Sequence, residues 1–595
     1  MYSKTPVSLS DIPTEVIIRI LHFCTFKTIL RFSVACRRGR MIVARSASLQ
    51  LHIELEANGL EIVGKSPNVD VTQLSILVGL KRYHDAWLDF DIGPPVEQVV
   101  SKQRILLWEL REGAFVKAFA STRPRVADSI QVIPLVSPEL PTPIKFQDPF
   151  HEFTLDLGQQ LIALVAVDLA RPTCARINFC SLITGAPHSL AQQPSFTVEL
   201  DFPIQHEGHS SIALEIMEDF LVIQLARIKA WSYEVLVWNW KTTSLINRIS
   251  SQTGICNFAL IDRQHLILYT AYSDGGPTLR SVALLVYNDI TSPRSDNCTP
   301  PDAHFIIPNY PTLGCNFMFK FPKIHSSMSA LPPALGLRSD PIPGRTVYSG
   351  SSTFACLSVG VLGLILPLSY NGYTEPQDLS YRIFVSTSHL LEYMEQHTSR
   401  GATELPWNEW GERSTRWFND EKVDWISWIS GSRYLRCSPG STFGTEILSI
   451  CDFSTPTVQR HSDRKTNSYL NLPHASSEAL RGRGATPESR WSAALRSLSS
   501  GCDLARRLVS ENSVFVDIVE GSVPSIITMG FENPVISRLP YRSVTRPSPV
   551  SARVAWLIEG NHIVGTGVRF WGSLNDNSQT SHANWVLAFS HILNK

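Results

Sequence analysis

No two cysteines of this sequence are separated by two residues, no apolar stretch reaches the ~20 residues of a membrane-spanning helix, and neither charge is in excess. Each absence excludes something. The 11 cysteines are scattered singly, at Cys24, Cys36, Cys174, Cys180, Cys256, Cys298, Cys315, Cys356, Cys437, Cys451 and Cys502. A structural zinc site therefore has no local ligand pair to start from. The opening "MYSKTPVSLSDIP" lacks the apolar core of a secretory signal, so reduced thiols in a cytoplasmic and/or nuclear protein are expected. The sequon Asn297-Cys298-Thr299 is then idle. The most apolar run, Phe354–Leu368, is short and holds Gly360, Gly363 and Pro367, so it reads as buried strand and no membrane is implied. Lys+Arg and Asp+Glu stand at 53 each, which leaves no global field to draw the chain onto nucleic acid.

What is present is enough apolar residue for a folded chain: 43% hydrophobic against 18% charged over 595 residues. Length alone allows several domains or one large all-β domain. The first forty residues read as helices. Val16, Ile17, Ile20, Leu21 and Cys24 fall on one helical stripe, with Pro13 in the first turn and Ser10 or Asp11 as cap. A second helix fits Thr28–Cys36, and Met41, Ile42 and Val43 begin a third apolar patch. Apolar residues on more than one face of so small a unit imply a partner. Residues 48–97 continue the helical pattern, with Leu74, Leu77, Leu80 and Trp87 as a stripe, and read as a stem.

From residue 98 to 595 the texture changes to short apolar runs separated by Gly, Pro, Asn, Asp and Ser. Trp108, Phe179, Trp238 and Tyr287 recur at intervals of about 50–70 residues, each closing an aliphatic run before a polar turn. This predicts a mainly β fold, a large propeller-like domain of degenerate WD-repeat type, with two packed sandwiches as the competing arrangement. Residues 325–350 and 456–500 read as surface loops.

Candidate chemistry is thin. His206 and His209 have HxxH spacing but no third ligand near them, and read as a surface loop. "GHSSI" lacks the second glycine of a nucleophile elbow, and Gly565-Thr566-Gly567 lacks the third of a dinucleotide loop. Glu215, Glu218 and Asp219 read as a turn before a strand, and Arg481-Gly482-Arg483 as a solvated loop. Trp407, Trp410, Trp417, Trp425 and Trp428 read as core, or as partner anchors where exposed. No catalytic residue, metal ligand or cofactor is assigned.

The opening segment, 1–47, resembles the F-box, the helical module that docks substrate receptors onto the Skp-type adaptor of cullin-RING ubiquitin ligases. The matching residues are Ile12-Pro13-Thr14-Glu15-Val16, Ile20-Leu21, Ile29-Leu30 and Val34-Ala35-Cys36-Arg37-Arg38. Cys24, Thr28 and Gly39 depart from the usual pattern. Patches such as "FTLDLGQQLIALV", "VLVWNWKTTSLI" and "WNEWGERSTRW" look like those of the expanded F-box proteins of mushroom-forming fungi. The resemblance implies a non-enzymatic receptor, bound through the adaptor to a cullin, whose β-rich part holds an unidentified protein target. It implies adaptor contacts at Ile12, Pro13, Glu15, Val16, Ile17, Ile20, Leu21, Leu30, Val34 and Cys36. An interaction scaffold without ligase role is the alternative, and a propeller hydrolase with a fused helical module the third.

Overall fold

The computed structural model describes residues 9–590 apart from 66–71, 94–95, 102–103, 122–125, 136, 138–139, 205–210, 274, 276–277, 293–302, 332–334, 351, 371–378, 398–401, 420–428, 441, 463–513, 547 and 572–580. Four helices open the chain: α1 (Thr14–Leu21), α2 (Phe26–Ala35), α3 (Arg37–Arg45) and α4 (Ala47–Ala57). Each boundary has a local cause. Pro13 stands at the N-cap of α1 with extended backbone and makes no side-chain cap bond, so the helix begins at Thr14. The Thr25 hydroxyl accepts from the Thr28 amide and starts α2 two residues before the expected point. The Cys36 thiol accepts from the Gly39 amide at 3.3 Å and starts α3.

Ile17, Leu21, Ile29, Ile42, Val43, Leu49 and Ile53 form the core of these helices. Leu51 of α4 points the other way, into a second core shared with the β-rich body. α4 is thus apolar on opposite sides because it is packed on both.

The stretch expected to be a helical stem breaks into two parts. Leu60–Lys65 is a strand, paired antiparallel with Ser352–Cys356 far along the chain. α5 (Gln73–Leu88) buries Ile76, Leu77, Leu80, Tyr83 and Trp87, while Leu74 stays exposed. Its partners are Phe354, Leu435, Leu448, Ile450, Val544 and Trp556 of the body, and the Tyr83 hydroxyl donates to the Gly560 carbonyl at 3.0 Å. α5 is therefore a component of the body's core.

The body is a series of mostly antiparallel sheets. Leu107–Arg111, Ala114–Phe119, Ala127–Pro134 and Ile144–Phe150 make one four-stranded sheet, and Ile212–Met217 to Ser244–Ser251 another. Others are built differently. Ser195–Glu199 pairs in parallel with His304–Ile306, and Phe317–Lys320 in parallel with Thr403–Leu405. Three further helices sit among the strands: α6 (Thr387–Gln396), α7 (Trp407–Ser414) and α8 (Thr455–Ser462).

The expected β-propeller does not form. Among the described residues the sheets hold from two to six strands, and every strand order is an open path that closes into neither propeller nor barrel. The fold is mixed α/β: N-terminal helices followed by a large β-rich region. The cause is long-range pairing. Strands such as Leu60–Lys65 and His304–Ile306 join sheets whose other members lie elsewhere in sequence. One sequence repeat therefore does not correspond to one sheet. The anchors Phe179 and Trp238 do lie in strands, and share one core with Phe196 and Phe305.

The segment 325–350 is also not a surface loop. It contributes the strands Met328–Ala330, Gly336–Arg338 and Thr346–Ser349, and buries Asp340, Ile342 and Arg345. Of 456–500, residues up to Ser462 belong to α8, and 463–500 lie outside the described residues. The apolar run Phe354–Leu368 falls in the strands Ser352–Cys356 and Val361–Tyr370. No described helix is long and apolar enough to cross a membrane.

Candidate docking surface

The helical segment sorts its apolar residues into two sets. Ile17 and Leu21 of α1 are covered by α3 and α4, as is Ile29 of α2. The residues one position before each pair member in α1, Val16 and Ile20, are exposed. Phe23, one turn on, is 86% exposed. Val16, Ile20 and Phe23 stand at i, i+4 and i+7, so they lie on one side of the helix and its C-terminal turn. On α2, Leu30 and Val34 repeat the i, i+4 spacing, Leu30 being 45% and Val34 83% exposed. Two apolar stripes are thus exposed on a unit whose own core is filled, with Leu30 lining the cleft between the helices and the body.

The other residues implied by the F-box resemblance fall around these stripes. Ile12 is half-buried, and its carbonyl accepts from Arg38 at 2.7 Å. Arg38 also donates to the Leu9 carbonyl, so it ties the start of the chain to α3. Pro13 and Glu15 are exposed at the start of α1, and Cys36 is exposed between α2 and α3. Ile17 and Leu21 do not share this surface, because they fill the internal core. Phe23 was absent from the expected set. The signal was available: an aromatic residue one helical turn beyond Val16–Ile20, between the polar His22 and a short turn.

Gly39 explains one departure from the family pattern. A Cβ at this position would lie 2.6 Å from the Phe32 carbonyl oxygen of α2. α2 and α3 approach too closely for any side chain there.

The chemical candidates resolve differently. Glu215 lies within the strand Ile212–Met217 and meets Arg111 at 2.6 Å. Glu218 pairs with Arg263 at 2.7 Å and Asp219 with Lys241 at 2.6 Å. The three acids therefore have separate cationic partners rather than a shared site. Arg111 also meets Glu109 at 3.3 Å, and Arg345 meets Asp156 at 3.0 Å and Glu112 at 3.1 Å. Burial pushes the Glu109 and Glu559 carboxyls up to about 7. It pushes Glu152, which faces Glu109, up to about 8. This internal charge cluster is held by arginine forks and backbone carbonyls. It joins separate sheets.

Gly565 and Gly567 sit in the strand His562–Trp571 and form no phosphate loop. Trp410 and Trp417 are fully buried against Phe321, and Trp407 packs beside them, so they are core. Trp425, Trp428, His206, His209, Asn297, Arg481 and Arg483 lie outside the described residues. Among the described residues no group of three or more His, Cys, Asp or Glu side chains is arranged to hold a metal ion.

No family model matches the chain. No curated protein matches it either. The F-box, SCF and ubiquitin-ligase expectations therefore gain no support from these comparisons. Among solved structures, the chain is similar to the WD40 domain of SCAP from fission yeast, with 8% identity, 82% of each chain covered and a TM-score of 0.29. It is also similar to an uncharacterized protein from Listeria monocytogenes, with 9% identity, 61% of this chain and 91% of that chain covered, and a TM-score of 0.22. At these scores the likeness carries no argument about fold or function.

Proposed function

We propose that this chain is a docking protein whose N-terminal helices bind an adaptor and whose β-rich body carries a second, target-binding surface. In the F-box resemblance the adaptor is of the Skp type, bound in turn to a cullin, and the whole is a substrate receptor of a ubiquitin ligase. One observation carries the reading. Val16, Ile20, Phe23, Leu30 and Val34 are exposed apolar side chains at helical spacing on a unit whose interior is already complete. Exposed apolar stripes of this kind are costly in water unless a partner covers them. Each large side chain buried in the complex would contribute about 1.5–3 kcal/mol.

In this role the protein does no bond chemistry. It raises the effective concentration of a target near the enzyme that modifies it. The two-core packing of α4 supports the reading, because a rigid link between adaptor and target fixes their separation.

The test is calorimetric titration of the full chain with a Skp-type adaptor, and with the adaptor–cullin complex. Binding at micromolar concentration or tighter, weakened at least tenfold by Ile20→Asp or Val34→Asp, is the expected result. Absence of binding by the folded protein would remove the ligase reading. Binding indifferent to both substitutions would place the contact elsewhere.

A further inference from the structure

The exposed stripes of the helical segment are bordered by charge of one sign. On α1, Arg19 is exposed three residues after Val16 and four before Phe23, so it shares their side of the helix. On α2, Lys27 stands three residues before Leu30 and Arg31 three before Val34, and both are exposed. α3 buries Gly39, Ile42 and Val43 and leaves Arg37, Arg40, Met41 and Arg45 to solvent. Arg37 follows Val34 by three residues, so at most about 11 Å of chain separates them. From Leu9 to Arg45 the exposed carboxylates are only Asp11 and Glu15.

The cations differ in what answers them. Lys27 and Arg31 line the cleft between the helices and the body together with Glu56, Glu392 and Glu395. Arg38 is engaged by the Leu9 and Ile12 carbonyls. Arg19, Arg37, Arg40 and Arg45 enter no ion pair among the described residues, where the first cation along the chain to do so is His52. The whole chain is balanced at 53 residues of each sign, so the basic excess of this segment is matched by an acidic excess in the rest.

Their placement works against the fold. α3 begins Arg37-Arg38-Gly39-Arg40 and has no acid in its first turn, and α2 begins Phe26-Lys27 with none either. A helix's first turn is the positive end of its dipole, where cations are disfavoured. Helix stability therefore does not account for these side chains, and a partner of opposite sign does. That partner also has to cover the apolar stripes. A nucleic-acid backbone offers Ile20 and Phe23 no apolar surface, and a flat bilayer does not reach Leu30 inside the cleft. A folded protein can do both.

We propose that the helical segment docks an acidic protein, whose apolar side chains cover Val16, Ile20, Phe23 and Val34 and whose carboxylates meet Arg19, Arg37, Arg40 and Arg45. This rests on the docking reading above and adds the sign of the adaptor's charge. The apolar contacts hold the complex, and the cationic border speeds its formation.

The test is stopped-flow association of the full chain with a Skp-type adaptor. Raising sodium chloride from about 0.05 M to about 0.5 M should slow association at least tenfold. At the lower salt, Arg37→Glu/Arg40→Glu should slow association at least tenfold and change dissociation less than threefold. Its melting temperature should be equal or higher, because acids suit the first turn of α3. Lys145→Glu/Arg171→Glu makes the same change of charge at exposed positions of the body and should leave association within twofold of the parent. Ile20→Asp reports on docking itself. If it weakens binding while salt and the arginine reversal leave association unchanged, docking stands and the acidic partner is overturned. No binding by the parent chain overturns both. Equal slowing by the body variant reduces the effect to net charge and overturns the proposal. So does binding of the parent to vesicles of phosphatidylserine and phosphatidylcholine in equal parts, lost on arginine reversal, which would assign the surface to a membrane.

Discussion

Arg345 and Asp156 meet at 3.0 Å inside the β-rich body, with 4% and 7% of their surfaces exposed. The same guanidinium pairs with Glu112 at 3.1 Å and donates to the carbonyls of Leu155 at 2.8 Å and Ile216 at 2.9 Å. One side chain thus satisfies groups from the turn after Leu107–Arg111 and from the strands Glu152–Asp156 and Ile212–Met217, which belong to three sheets. Arg345→Met keeps the length but leaves two carboxylates and two carbonyls short of a donor. It should lower stability by about 3–5 kcal/mol in urea denaturation. A loss under about 1 kcal/mol would mean that water replaces the guanidinium without cost.

Glu152 makes stability depend on pH in a definite direction. Burial first, and Glu109 next, raise its folded-state value to about 8, while the Phe153 amide works the other way. The folded chain therefore holds a proton that the unfolded chain gives up near its ordinary value. Folding stability contributed by this group falls as pH rises between the two values. Glu152→Gln should relieve that fall. The variant should gain about 2–4 kcal/mol more, relative to the parent, at about pH 8.5 than at about pH 5. Equal effects at both pH values in thermal or urea unfolding would show that the carboxyl is ordinary.

The helical segment separates surface from core by single residues. Ile29→Ala empties a fully buried position and should destabilise the segment by about 2–5 kcal/mol, read by hydrogen exchange in α1–α3. Val34→Asp, one helical turn along on the open side, should change stability by under about 0.5 kcal/mol while weakening adaptor binding. A melt shifted by Val34→Asp as much as by Ile29→Ala would mean that the stripe is covered within this chain.

Gly39 offers a test of close approach. The Phe32 carbonyl leaves no room for a Cβ, so Gly39→Ala should push α3 off α2 at a cost of about 1–3 kcal/mol. Gain of stability from the better helix former would show that the two helices part freely. Adaptor affinity of the alanine variant, measured alongside, reports whether α2–α3 spacing matters for docking.

Sequence alone was enough for elements whose signal is local. The helical spacing of Val16, Ile17, Ile20 and Leu21 could be read without a structure, because a 3.6-residue period acts within one or two turns, whereas the end of α1 at Leu21 and the start of α3 at Arg37, capped by Cys36, were not read. The strandlike runs around Phe179, Trp238 and Tyr287 were legible for the same reason. Tertiary structure decided the rest. A stripe containing Val16, Ile17, Ile20 and Leu21 does not say which half is covered; α3 and α4 cover Ile17 and Leu21 and leave Val16, Ile20 and Phe23 to solvent. Sheet membership was equally out of reach, because Leu60–Lys65 finds its partner nearly three hundred residues away, at Ser352–Cys356. Pairing of that kind depends on which edges remain open once the whole chain has packed, and no local pattern records it. Arg433 is the sharpest case: a lone arginine in a strand pattern became a buried charge only when α5 brought Tyr83 and Trp87 against it.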